Sequence, residues 1–99
     1  MRLSMRLVVR PSKAFLDVVR ARVRPAGAME GAEVGAVLLV QGQVVDAVAA
    51  LDVATKAAAV GGAELVGNCP QQLNTVVFWG DVAAVKQAMA ALEAWASRE

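Results

Sequence analysis

The 99-residue chain has no histidine and no tyrosine, one cysteine (Cys69), and only four residues that are phenylalanine or tryptophan. One cysteine excludes an intrachain disulfide and a cysteine-rich zinc site, and with no imidazole there is no Cys/His nucleophilic pair. Acid/base work would fall to carboxylates or lysines. The most hydrophobic stretch is interrupted by Asp46, Asp52 and Lys56, so no apolar run reaches the length of a membrane span. A soluble chain in a reducing compartment fits this inventory.

What is abundant is small and apolar. Hydrophobic residues make up 58% of the chain, and alanine (21) and valine (18) supply 39 of its 99 residues. A single domain of this size buries about 65% of the surface of its unfolded chain. So much apolar surface is expected to be covered by further copies, in an obligate oligomer.

Charge is divided unevenly. Residues 1–24 carry seven bases and one acid, net +6, and residues 25–99 carry three bases and eight acids, net −5. An arginine-rich start also suits a transit peptide or a nucleic-acid patch. Its period argues for folded structure instead. Leu3, Met5, Leu7 and Val9 alternate with Arg2, Ser4, Arg6 and Arg10 up to the break at Val8, which predicts a half-buried strand over residues 2–10. Pro11 suits a first helical turn, and Phe15, Leu16, Val19 and Val23 follow at helical spacing up to Pro25-Ala26-Gly27.

After a linker to Ala32, the run Val34–Val40 is too short for a helix and predicts a buried strand. Residues 44–59 predict a helix with one stripe of Val44, Val48, Leu51 and Thr55 and another of Ala47, Ala50, Ala54 and Ala58, stopped by Gly61-Gly62. Residues 63–68 and 75–79 predict antiparallel strands around the polar loop Cys69-Pro70-Gln71-Gln72-Leu73-Asn74. Asp81 is placed to cap a last helix running to about Ser97. That helix has two apolar stripes, one for the sheet (Val82, Val85, Met89, Leu92 and Ala96) and one for a neighbour (Ala84, Ala88, Ala91 and Trp95). The fold class expected is α+β, an antiparallel sheet with helices on one face, in the order β-α-β-α-β-β-α.

Candidate sites are sparse. Cys69 has no sequence neighbour that would make it a metal or redox thiol. Asp52 and Lys56 stand at i,i+4, the spacing of a solvated helix pair. Gly61-Gly62 lacks the residues of a phosphate loop. Trp79 and Trp95 sit among apolar neighbours, where a core or subunit contact suits them better than base stacking. No catalytic, metal-binding or cofactor-binding set is expected, and the chain is read as a non-enzyme that binds neither nucleic acid nor membrane.

Several segments together resemble the hexameric shell proteins of bacterial microcompartments. GDVAAVKQAM, Gly80 to Met89, is similar to the family's passage from a strand into its second main helix. LDVATKAAAV, Leu51 to Val60, resembles the end of its first main helix, and Leu65-Val66-Gly67 resembles the strand that leads into the pore loop. In the family's usual order a last strand with an Arg-Pro ending follows the second helix, whereas here RLVVRP, Arg6 to Pro11, stands in front. The resemblance is therefore to the circularly permuted subtype. It implies one ferredoxin-like shell domain over residues 1–99, with a relocated strand (1–10), a relocated helix (11–24) and a main segment (33–97).

It further implies a homohexameric tile that joins other shell proteins around encapsulated enzymes in the cytoplasm. Cys69, Pro70, Gln71 and Gln72 would line a central pore for small polar metabolites, and Lys56 and Arg10 would lie at the hexamer edge. The alternative function is a small oligomeric ligand-sensing module with an effector pocket over Gly61–Asn74.

Overall fold

A computed structural model describes residues 1–67 and 73–99. The chain runs β1 (Ser4–Val9), α1 (Lys13–Arg22), β2 (Val23–Arg24), β3 (Ala36–Gln43), α2 (Val44–Ala57), β4 (Gly61–Leu65), β5 (Leu73–Gly80) and α3 (Val82–Arg98). The strands form one antiparallel sheet in the order β1-β3-β5-β4-β2. Relative to the sequence reading, the fold gains the two-residue edge strand β2, in which Val23 pairs with Leu65 and Arg24 with Glu64. Two residues carry no period, which is why the pattern gives no sign of it.

The β3 and β5 strands are apolar on both faces because both faces are covered. On one face Ala36, Leu38 and Val40 of β3 and Val76 and Phe78 of β5 pack against Ala47, Ala50 and Ala54 of α2 and Val85, Ala88 and Leu92 of α3. On the other, Val37, Val77 and Trp79 pack with Val19 of α1, Val23 of β2 and Met29. The expected shared face therefore holds for α2 and α3 and not for α1. Alternate residues of β3 and β5 point each way, so the second apolar row needs a cover of its own, and α1 with residues 25–34 supplies it.

The helices are seated by small residues. Ala47, Ala50, Ala54 and Ala88 are fully buried, which lets backbones approach closely, and the molecule is a slab with extents of 35 × 32 × 19 Å. Gln87 of α3 donates its amide to the Ala57 carbonyl at the end of α2 (2.8 Å), as antiparallel neighbours would. The alanine-rich stripe Ala84, Ala88, Ala91 and Trp95 is half-buried or buried within the chain, and Trp95 packs on the α2/α3 core. Helical spacing from Gln87 places that stripe beside α2.

Gly61-Gly62, expected to stop the helix, instead opens β4. A Cβ on Gly61 would meet the Trp79 ring, and one on Gly62 would lie 3.1 Å from Phe78 and 3.2 Å from Leu51. Missing side chains here make room for an aromatic pair and a helix. Local caps follow the sequence: the Ser12 hydroxyl accepts from the Phe15 N–H (3.2 Å) and Asp81 Oδ1 from the Ala84 N–H (2.8 Å). Pro11 lies just outside α1, ahead of the Ser12 cap.

Candidate functional site

The register sorts the sequence-predicted site residues to opposite ends of the sheet. Ala36 pairs with both Val9 and Gly80, while Gln41 pairs with both Ser4 and Thr75, and Leu65 with Thr75. One end thus carries Arg10, the turns into α1 and α3 and the turn out of α2. The other carries the stems of the β4–β5 connection. Eight residues of β3 at ~3.3 Å each separate the two ends by about 26 Å.

Arg10 is exposed, has a positive φ of 50°, and is tied by its N–H to the Gly35 carbonyl at 2.9 Å. A left-handed conformation is uncommon for arginine, and it redirects the chain where β1 stops. Lys56 lies in the last turn of α2 and pairs with Asp52 at 2.8 Å, the i,i+4 partner the spacing predicts. Both groups are exposed, so the pair adds little to stability. Since α2 starts after Gln43 and runs ~21 Å back along the sheet, its last turn reaches the end that holds Arg10. The fold thus brings Lys56 and Arg10 to one end.

Cys69, Pro70, Gln71 and Gln72, expected at the pore, lie outside the described residues. Their attachment points are described. Between β4 and β5 the last paired residues are Leu65 and Thr75. Past them the Val66 N–H donates to the Arg22 carbonyl at 2.8 Å, extending the β2–β4 pairing by one residue.

At this level polar side chains pair on both faces of the sheet, Asn74, Glu64 and Arg24 on one and Gln41 and Thr75 on the other. Asn74 donates its amide to Glu64 at 2.8 Å, Arg24 stands 3.9 Å from the other carboxylate oxygen, and Gln41 donates to the Thr75 hydroxyl at 3.2 Å. Asn74 also accepts from the Thr75 N–H at 2.9 Å. Sequence reasoning missed these pairs, counting Asn74 with the loop and Glu64 with an apolar strand. The signal was there: these are the residues that break the apolar runs at matching strand ends.

A second feature was also misplaced by periodicity. Of the two α2 stripes, the alanine stripe is buried, whereas Val44, Val45 and Val48 are 47%, 73% and 48% exposed. Leu51, on the same stripe as Val44 and Val48, lies over Gly62 of β4, so this apolar side faces the β4 flank. Val66 is exposed at the same flank, and among the described residues no strand pairs with the outer edge of residues 61–63. The buried alanines leave no room for the valines to join them.

Groups of acidic, histidine or cysteine side chains able to hold a metal are absent among the described residues, and no described helix is long and apolar enough to cross a membrane. On an exposed surface of α1 the Lys13 ammonium is held above its ordinary pKa by its hydrogen bond to, and charge interaction with, Asp17 at 2.7 Å.

Comparison with known proteins gives this geometry a family. The family model of the BMC domain matches residues 34–99, which hold β3 through α3. A search of the curated proteins finds no match. Among solved structures, the chain is similar to the GrpU microcompartment shell protein from Pectobacterium wasabiae, with 28% identity and a TM-score of 0.71 over 91% of this chain and 99% of that one. The GrpU shell protein from Clostridiales bacterium 1_7_47FAA shares its fold at 23% identity and a TM-score of 0.65, over 91% of this chain and 87% of that one. A fused permuted hexameric shell protein from the RMM microcompartment matches at 22% identity and a TM-score of 0.74, over 95% of this chain; the chain spans 45% of that protein's length. In the present chain β1, α1 and β2 precede the matched domain, and β1 and β2 add the two edge strands of its sheet, with the strand and helix in front as the sequence resemblance describes. The chain belongs to the BMC-domain family of microcompartment shell proteins, in circularly permuted form.

Proposed function

We propose that residues 1–99 act as one permuted shell domain, six copies of which close into a flat tile with the 68–72 connection at its axis and Arg10 and Lys56 at its rim. The structural role in a microcompartment shell is that of the family. The observation that carries the finer reading is the separation of the two groups: the stems of the 68–72 connection and the pair of rim residues lie at opposite ends of a sheet about 26 Å long. A ring subunit needs one end for the axis and one for the outside.

Closure of the ring needs a flank that prefers protein to water. The α2 valines and Val66 form such a flank, and a neighbouring copy is its occupant in this reading. In the ring, six connections converge, and Cys69, Pro70, Gln71 and Gln72 line a passage in which neutral amides offer hydrogen bonds to small polar metabolites. At the rim, Lys56 and Arg10 meet adjoining tiles of this chain or of other shell proteins, around enclosed enzymes in a bacterial cytoplasm. The work is assembly and selective permeation, with no catalytic step.

Electron microscopy of the concentrated protein tests this reading. Flat hexagonal sheets or tubes are expected, and Lys56→Ala is expected to leave discs that no longer tile. Dispersed particles without a lattice under all conditions would contradict it.

A further inference from the structure

The outer strand β1 carries an apolar row at the margin of the helix layer. Leu3, Met5 and Leu7 face the side of the sheet that holds α2 and α3, and each is only half-buried against the core. The two helices are seated on β3, β4 and β5, whereas β1 is the edge strand beyond them. The row starts ahead of the strand itself. A Cβ on Gly42 would come within 2.8 Å of the Leu3 side chain, so the bare glycine lets Leu3 lie down beside β3. Members of the row stand two residues apart, ~6.6 Å along the strand. Arg2 and Arg6 alternate to the other face and leave the row free of charge.

The opposite flank presents a matching ridge. Val44 and Val48, both about half exposed, stand one helical turn apart on α2, ~6 Å along its axis. Since α2 begins directly after Gln43 and Gly42 lies beside Leu3, Val44 is level with Leu3, and Val48 with Met5. Both α2 and β1 run from the Gln41 end of β3 toward its Ala36 end, so the two spacings stay in step.

A ring closed by rotation joins each copy to the next through two different surfaces. Copies touch at equal distances from the axis, so two patches meet only when they occupy the same level of the sheet. We infer that the Val44–Val48 ridge of each copy seats on the Leu3–Met5 row of the next, which makes the residues leading into β1 a ring contact. The inference rests on the proposed ring and adds which surface receives the α2 flank. Contact removes two apolar rows from water together, and the unbranched Met5 side chain adapts its shape to the valines.

Paired cysteines test it in the full-length protein carrying Cys69→Ser. Each variant is examined by sedimentation velocity, then treated with a short bifunctional maleimide and run on a denaturing gel. Val48→Cys/Met5→Cys is expected to give a covalent ladder reaching six chains, and either replacement alone to give single chains. Val44→Cys/Leu3→Cys is expected to give the same ladder and serves if the change at Met5 unsettles the fold. Val48→Cys/Val9→Cys is expected to give none, because Val9 shares the face of Met5 but lies ~13 Å farther along β1. A dimer from Val48→Cys alone would set α2 against α2 and overturn the inference, as would an equal ladder from the Val9 pair. Sixfold mass with no ladder in either matched pair overturns it and leaves the ring standing. A single-copy mass overturns both.

Discussion

The two ends of the sheet are built on different principles. At the end bearing Arg10, packing decides the geometry: Gly61 lies against the Trp79 ring, Gly62 between Phe78 and Leu51, and the Gly35 N–H bonds the Gly80 carbonyl at 2.9 Å. Steric fit there leaves little latitude. At the end bearing the 68–72 connection, the β4–β5 ladder stops and polar side chains pair instead, Gln41 with Thr75 and Asn74 with Glu64 by hydrogen bonds and Arg24 with Glu64 as an ion pair. In the proposed tile this division puts the sterically fixed end at the rim and the hydrogen-bonded end at the axis.

That contrast is open to attack by substitution. The largest loss is expected from Phe78→Ala, which empties the space between Leu38, Gly62 and the helices and should cost about 4 kcal/mol in chemical denaturation. A cost near that of a surface substitution would mean that the packed end is not packed. Gly61→Ala should follow at about 2 kcal/mol, because the added methyl meets the Trp79 ring and the near-isosteric change has no other reason to be harmful. Thermal melting of that variant distinguishes steric intolerance from ordinary helix or strand preference, which would give a smaller effect.

At the other end the losses should be shallower. Thr75→Val keeps shape but leaves the Gln41 amide without its acceptor, and about 1 kcal/mol is expected by denaturant titration. A loss as large as that of Phe78→Ala would erase the distinction between the ends. The smallest effect is outside both, on α1. Asp17 holds the Lys13 ammonium above its ordinary value of 10.5, so the pair stabilises the folded state below that value and the contribution fades as pH rises through the raised one. Asp17→Asn should therefore melt slightly lower than the wild type at neutral pH and converge with it in strong alkali; both groups are exposed, so the gap is small.

Much of the fold was legible because periodicity reports faces. The alternation of Leu3, Met5, Leu7 and Val9 predicted β1, and Asp81 and Asp52–Lys56 behave as their local chemistry demands. The order of strands and helices also supported the resemblance to permuted shell proteins, which the BMC match over residues 34–99 bears out. What periodicity cannot report is which of two apolar stripes goes inward. On α2 the alanines won because close approach to β3 and β5 excludes the bulkier valines, a tertiary fact absent from either stripe alone. The side chosen by α1 was hidden for a similar reason, since one helix can cover either face of a sheet that is apolar on both. Glu64 and Asn74 lie ten positions apart and become partners only through the β4–β5 register.

Sedimentation velocity of the wild-type chain beside the double variant V45D/V48D bears most directly on the account, since everything assigned to rim and axis depends on a ring closed through the α2 flank. The wild type is predicted to sediment as a single species of six times the 10.3 kDa chain mass, and the charged variant to fall to single copies with its helix and strand content intact. A wild-type chain that sediments as one copy at all accessible concentrations, or a charged variant that keeps the sixfold mass, would contradict it.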